Sequence, residues 1–223
     1  MPRRAEPPRV FLLSPAHLGG KRAAILLRDE AAFPLAVRLR GPGGVPLGEA
    51  FSFLSGLYFR GKLAYAARFA RPPMGVAGVQ VITANRGLVA AEAPVGPTEL
   101  RDFGSVDIRS GDPRYRGPLV RDVSRLAEHP GLELVLLGSL ATGKYVDVLL
   151  DVVGERLLFP TDFAGRGDMS RGALLLRSAR EGRELSYESV AGALGRLRPR
   201  TRGAANDGDP KRPTDDADPH GRE

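Results

Sequence analysis

Apolar residues along this chain come in short runs separated by turns bearing glycine and proline, and the runs alternate between strand-like and helix-like periods. Arg9–Leu13, with its apolar run Val10–Leu13, reads as a strand and stops at Ser14-Pro15, before Gly19-Gly20. Lys21–Arg28 carries helical spacing. Gly41–Gly48 is a glycine- and proline-rich loop. Phe51–Ala70 reads as a loop passing into a helix from about Gly61. A second strand, Gly78–Thr83, ends in the turn Ala84–Leu88. Ala90–Ser110 is punctuated by proline and glycine and is expected to wrap the surface. A helix is predicted over Leu119–Glu128, capped near Asp112-Pro113. Glu133–Gly138 is the third strand, Lys144–Val153 the helix after it, and Arg156–Phe159 a fourth short strand. The pattern closes with Ala173–Ala179 and Glu184–Val190 around Arg180–Arg183, read as a hairpin.

This alternation predicts an α/β fold: a mainly parallel mixed sheet with helices on both faces, a C-terminal β-hairpin and a disordered tail. One domain is expected over residues 9–195, after a flexible 1–8 and before a tail at 196–223 that has almost no large apolar residue. Three strands end in turns of glycine or small residues: SPAHLGGKR, TANRGLV and GSLATGK. If those strands are parallel, the turns lie along one edge of the sheet, where such folds bind ligands beside helix N-termini.

Composition narrows the chemistry. The 223 residues include no cysteine, which excludes disulfides, cysteine-ligated metals and thiol nucleophiles. The apolar run Val10–Leu13 is far below the ~7–15 residues of a signal peptide, and no stretch approaches the ~18 of a membrane span. A cytoplasmic protein with no membrane partner is expected. The net charge is +7, but residues 1–9 hold three arginines against one glutamate, and residues 196–223 hold seven basic against six acidic groups. Four of the seven excess charges therefore fall on residues 10–195. Only Lys21, Lys62, Lys144 and Lys211 are lysines; the other 29 basic residues are arginines. The arginine excess reads either as a base-composition bias or as phosphate recognition. In the tail, Arg196, Arg198, Arg200 and Arg202 are either a solvated end or a nucleic-acid contact.

GSLATGKY nearly spells a phosphate-binding loop, with Gly138, Gly143 and Lys144 in place but Tyr145 where that motif needs Ser or Thr for a metal. Its glycines, with Ser139, either cradle an anion or make a tight strand-to-helix turn. Asp162 is the one contender for a second metal-binding acid. FAGRGDMSRG sets Arg166, Asp168 and Arg171 among glycines, a composition suited to gripping phosphate or carboxylate. Arg60 and Arg86 also sit beside glycine at segment ends. Together with Ser14, Lys21, Arg22 and Lys144 these residues either form one anion pocket or remain separate surface charges. His17 follows the first strand and is either an acid/base group or a hydrogen-bonded structural histidine. Asp168 is the other acid/base candidate. His17, His129 and His220 have no metal-ligand spacing, so neither metal nor cofactor is expected. Ser14 and Ser139 end strands without an evident His–Asp pairing, so nothing marks an activated serine.

The order of these motifs resembles the YaaA family of peroxide-stress proteins. VFLLSPAHLGG stands at that family's Ser-Pro-Ala-Lys signature, SGLYFRGKLAYAARF at its Gly-x-x-Tyr-x-Gly segment, and ITANRGLVAAEAPV at its Ser-Gly-Leu-Tyr strand exit. LLGSLATGKYVDVL matches its small-residue turn with an aromatic, and FAGRGDMSRGALLL echoes its arginine-rich stretch through Arg166, Gly167, Met169 and Arg171. The resemblance spans most of residues 10–180. It departs at His17, where the family has lysine, and at the Tyr-Arg-Leu-Glu-Met stretch, for which PTELRDF is the nearest counterpart. It departs also at Leu18–Ala50, which is short for the family's helix-hairpin-helix element. The resemblance implies an α/β core, DNA binding and protection from peroxide damage, and no known reaction. The expected function is binding of nucleic acid or a nucleotide through arginines at one sheet edge. The alternatives are an enzyme acting on a nucleoside, nucleotide or modified base in the same pocket, and an interaction scaffold whose arginines are simply surface.

Overall fold

The computed structural model describes residues 6–140 and 143–197. Its centre is a six-stranded sheet built from β1 (Arg9–Leu13), β3 (Val79–Ile82), β4 (Leu88–Ala90), β6 (Glu133–Leu137), β7 (Leu157–Pro160) and β8 (Tyr187–Ser189). The strand order is β4-β3-β1-β6-β7-β8. The four inner strands run parallel, and β4 and β8 close the two edges antiparallel. All five residues of β1 are buried, the apolar Val10–Leu13 between parallel neighbours and Arg9 in ion pairs with Glu133 and Glu184. A separate ladder pairs β2 (Val45–Pro46) with β5 (Pro94–Val95).

Helices cover both faces. α4 (Leu57–Phe69) and α7 (Gly143–Val153) are the helices nearest the site, with α8 (Asp168–Glu181) packed on α4. Glycine sets that packing distance. A Cβ on Gly61 would lie 2.6 Å from the Gly172 carbonyl oxygen, and one on Gly172 would lie 2.9 Å from Tyr58 Cα. Part of the glycine content of GKLAYAARF and FAGRGDMSRG therefore serves helix–helix contact.

Several expectations need correction. Ala173–Ala179 is the middle of α8, not a hairpin strand. Its buried residues Gly172, Leu175 and Ser178 recur every third position, and Gly182 ends the helix in the left-handed conformation at φ 63°. Only the second half of the expected hairpin is extended, as β8 against β7. Phe51–Ser55 is helical, within α3 (Leu47–Ser55), whose buried Leu47, Ala50, Phe51 and Leu54 follow helical spacing. α4 begins at Leu57, after a break at Gly56, rather than at Gly61. The loop expected at Gly41–Gly48 contains β2 and the start of α3. Leu18–Ala50 carries α1 (Lys21–Leu26) and α2 (Pro34–Arg40). Ala90–Ser110 includes β5 and α5 (Pro97–Gly104), in which Glu99 accepts the Gly96 N–H at 2.9 Å. The helix expected over Leu119–Glu128 starts earlier, as α6 (Pro113–Ala127), with Asp112 at its N-cap accepting the Arg114 N–H. α9 (Val190–Leu197) completes the described fold. The expected tail beyond it, and residues 1–5 of the expected flexible N-terminus, lie outside the described residues. Glu6 pairs with Arg71.

Away from the site, Arg9 bonds Glu133 and Glu184, and Arg71 also reaches Glu184. The Arg9 guanidinium lies 4.7 Å over the Tyr187 ring, and the Tyr187 hydroxyl meets that of Tyr65 at 2.6 Å. This network joins the start of β1 to β6, α4 and β8. No helix among the described residues is long and apolar enough to cross a membrane.

Candidate active site at the β1–β6 crevice

Because β1, β3 and β6 are parallel neighbours, their C-terminal turns do lie side by side. The chain leaves β1 toward β3 on one side and leaves β6 through α7 toward β7 on the other. Oppositely directed connections part the loops between two adjacent strands, and a crevice opens there. Ser14 N–H still donates to Leu137 O at 3.1 Å, so the strands hold together up to its floor.

Gly138 forms that floor. A Cβ at this position would lie 3.0 Å from Ser14 Cβ and 3.1 Å from Tyr145 Oη. Glycine is needed here for close approach, not for an unusual φ. Tyr145, on the first turns of α7, accepts the Ser139 N–H at 3.1 Å, and its side chain also interacts with Ser14. Burial pushes the Tyr145 hydroxyl up from its ordinary value, against the opposing effect of those two contacts.

Lys62 approaches Ser14 from α4. It is 2% exposed, and its Nζ lies 2.6 Å from the Ser14 carbonyl oxygen and 2.9 Å from Ser14 Oγ. The rings of Tyr58 and Phe59 flank Nζ at 4.7 and 4.8 Å. No carboxylate pairs with Lys62 among the described residues. Burial pushes its ammonium down to about 7, and the charge of Asp168 opposes this only in part. A buried lysine whose proton affinity burial has brought down toward neutral pH, set against a serine, is an arrangement found where proton transfer is needed.

In front of Ser14 lies a cavity of about 520 Å³. Phe51, Phe103, Val106 and Ile108 supply apolar wall, and Ser14, His17, Thr83, Lys144, Tyr145 and Asp107, which pairs with Arg109, supply polar wall. Lys62 does not line it but stands behind Ser14. It is a half-open pocket whose wall is about equally polar and apolar, with room for a small molecule.

Of the residues singled out in the sequence, Ser14, His17, Gly138, Ser139, Lys144 and Tyr145 gather here. The others do not. Arg22 and Arg60 line a different groove with Glu49, Phe53 and Met169. Lys21 is exposed at the start of α1. Arg86 is held by Asp102 at 3.0 Å, above the Phe103 ring. Arg166 donates to Asp162 O and Ser170 Oγ, and Arg171 to Phe163 O. Asp168 is exposed at the start of α8 and does not line the cavity. In the near-match to a phosphate loop, residues 141–142 lie outside the described residues. Gly143 abuts the Asp147 carboxylate, which puts negative charge where an anion would sit. No group of three acidic or histidine side chains is placed to hold a metal among the described residues.

Lys62 is the site residue that the sequence pattern does not single out. The available signal is a rare lysine, in a chain that otherwise uses arginine, on the helix face shared by Phe59, Tyr65 and Ala66.

No family model matches the chain, and no curated protein or solved structure matches it.

Proposed function

We propose that the protein is an enzyme acting on a nucleoside, a nucleotide or a modified base bound in the β1–β6 crevice. The observation that carries this reading is the cavity at the point where the strand connections diverge, with aromatic and aliphatic wall on one side and Ser14, His17, Lys144 and Tyr145 on the other. A planar base suits the side formed by Phe51, Phe103 and Ile108. Lys144 supplies the positive charge for a phosphate or another anionic group. His17 is the acid/base candidate within reach of a bound molecule, a role Asp168 is poorly placed to fill.

A second reading is the one the YaaA resemblance implies: binding of a nucleic-acid polymer through arginines, in protection from oxidative stress. It is favoured by Arg22 and Arg60, which share an open groove. Against it, Arg86, Arg166 and Arg171 are already engaged by neighbouring protein groups.

The deciding experiment titrates the full chain with mononucleotides, nucleosides, single- and double-stranded DNA, and RNA across a salt series. The enzyme reading expects a mononucleotide or nucleoside to bind with weak salt dependence, and Lys144→Ala and Phe103→Ala to weaken that binding. Binding to polymers alone, falling steeply with salt, would overturn it in favour of the second reading.

A further inference from the structure

We infer that Ser14 is a nucleophile, that Lys62 is its proton acceptor and donor, and that the substrate in the crevice presents an ester or amide carbonyl. This rests on the reading of the cavity as a substrate site and adds the reaction class. Geometry carries it. Ser14 lines the cavity, and Lys62 Nζ lies 2.9 Å from its Oγ. Nζ donates to the Ser14 carbonyl oxygen at 2.6 Å and to Oγ at 2.9 Å, and once the lysine is neutral the same separation lets its lone pair accept the Oγ proton. Because Lys62 does not reach the cavity itself, any chemistry of the pair is delivered through Ser14. Serine–lysine pairs replace the serine–histidine–aspartate arrangement on unrelated folds.

Tyr145 completes the set. Its oxygen takes the Ser139 N–H at 3.1 Å and so is fixed beside Ser14, over Gly138. The same hydroxyl, which also contacts Ser14, is placed to donate its proton to a carbonyl oxygen that becomes negative as Ser14 attacks. The titratable and charged groups around the pair are Tyr58 from α4, Tyr145 and Lys144 from α7, Asp168 and Arg171 from α8, and His17 and Asp107 on the cavity wall.

The steps balance without any further reagent except water. Ser14 Oγ bonds to the carbonyl carbon while its proton passes to Lys62 Nζ. The carbon–leaving-group bond then breaks, and the departing alkoxide or amine takes a proton from water in the cavity, leaving hydroxide. Hydroxide attacks the resulting ester of Ser14. Ser14 Oγ leaves the carbon and takes its proton back from Lys62.

The test uses p-nitrophenyl acetate with the full chain, reading nitrophenol release and, by peptide mass mapping, the acetylated residue. Acetylation at Ser14 is expected, absent in Ser14→Ala and slowed on the order of a hundredfold in Lys62→Met. The wild-type rate should rise about tenfold per pH unit below pH 7 and level off above it, as Lys62 loses its proton. The profile needs no variant, so it stands even if Lys62→Met is poorly folded, which thermal melting reports. Acetylation scattered over other residues, or unchanged in Ser14→Ala, overturns the inference. So does a Ser14 ester that forms at the same rate in a folded Lys62→Met. If mononucleotide binding persists while Ser14 stays unmodified, the nucleophile is refuted and the cavity reading survives. If both fail, both fall.

Discussion

Lys62 makes a prediction that needs no substrate. Its ammonium is held down to about 7 in the fold and returns to about 10.5 when the chain unfolds. Between those values the unfolded state binds one more proton than the folded state. Stability must therefore rise with pH across that window, by about 1.4 kcal/mol per unit from this group. The sign follows from burial. The cost of placing an ammonium in the core is fully present below about pH 7 and is relieved as pH rises toward the unfolded value. From pH 7 to 9.5 the gain is about 3 kcal/mol. Methionine matches lysine in length and does not titrate, so Lys62→Met should lack this slope. It leaves the Ser14 carbonyl and hydroxyl short of a donor, which costs about 1–3 kcal/mol at every pH and does not alter the slope. Urea unfolding at half-unit steps from pH 7 to 9.5, for wild type and Lys62→Met, gives the two curves to subtract. Stopping there avoids the tyrosines, whose hydroxyls burial pushes up and which would lower stability above pH 10. A difference that grows by about 1.4 kcal/mol per unit supports a lysine that gives up its proton in the fold. Parallel curves would refute it, and with it the premise that Lys62 can accept a proton from Ser14.

Two further expectations concern packing. Gly172→Ala would set a methyl group 2.9 Å from Tyr58 Cα, forcing α4 and α8 apart at a cost of about 2–3 kcal/mol, measurable as a lower urea midpoint. Arg9→Met should cost about 2–3 kcal/mol, because it strands Glu133 and Glu184 in partly buried positions. Thermal melts at pH 7 check the second, and an unchanged midpoint would mean that solvent already screens those carboxylates.

Elements whose period is unambiguous are legible in the sequence alone. The apolar runs Val10–Leu13 and Leu134–Leu137, each stopped by a turn of small residues, read as buried strands, and they form the body of β1 and β6. Ala173–Ala179 is not legible in this way, because three consecutive leucines suit a strand or a helix equally well. Only the contact of Gly172 with α4 settles the choice. Phe51–Ser55 misleads for a related reason: its helical spacing begins at Leu47, inside a stretch whose glycines and prolines suggest a loop.

The location of the site follows the same division. That three small-residue turns share one sheet edge is a consequence of parallel pairing, and a strand–turn–helix alternation already implies it. Such local patterning sets which residues reach that edge: Ser14, His17, Gly138, Lys144 and Tyr145 each follow a strand directly or open the helix after it. Lys62 is different. It is 48 residues from Ser14, on a helix face, and its position depends on how closely α4 packs under β1. Nor do the arginines reveal, from their spacing, which of them are already engaged by Asp102, Asp162 or Phe163. Periodicity is a property of neighbours along the chain and fixes faces and edges. Proton affinity and ion pairing depend on burial and distance between remote segments, and those exist only once the chain has folded.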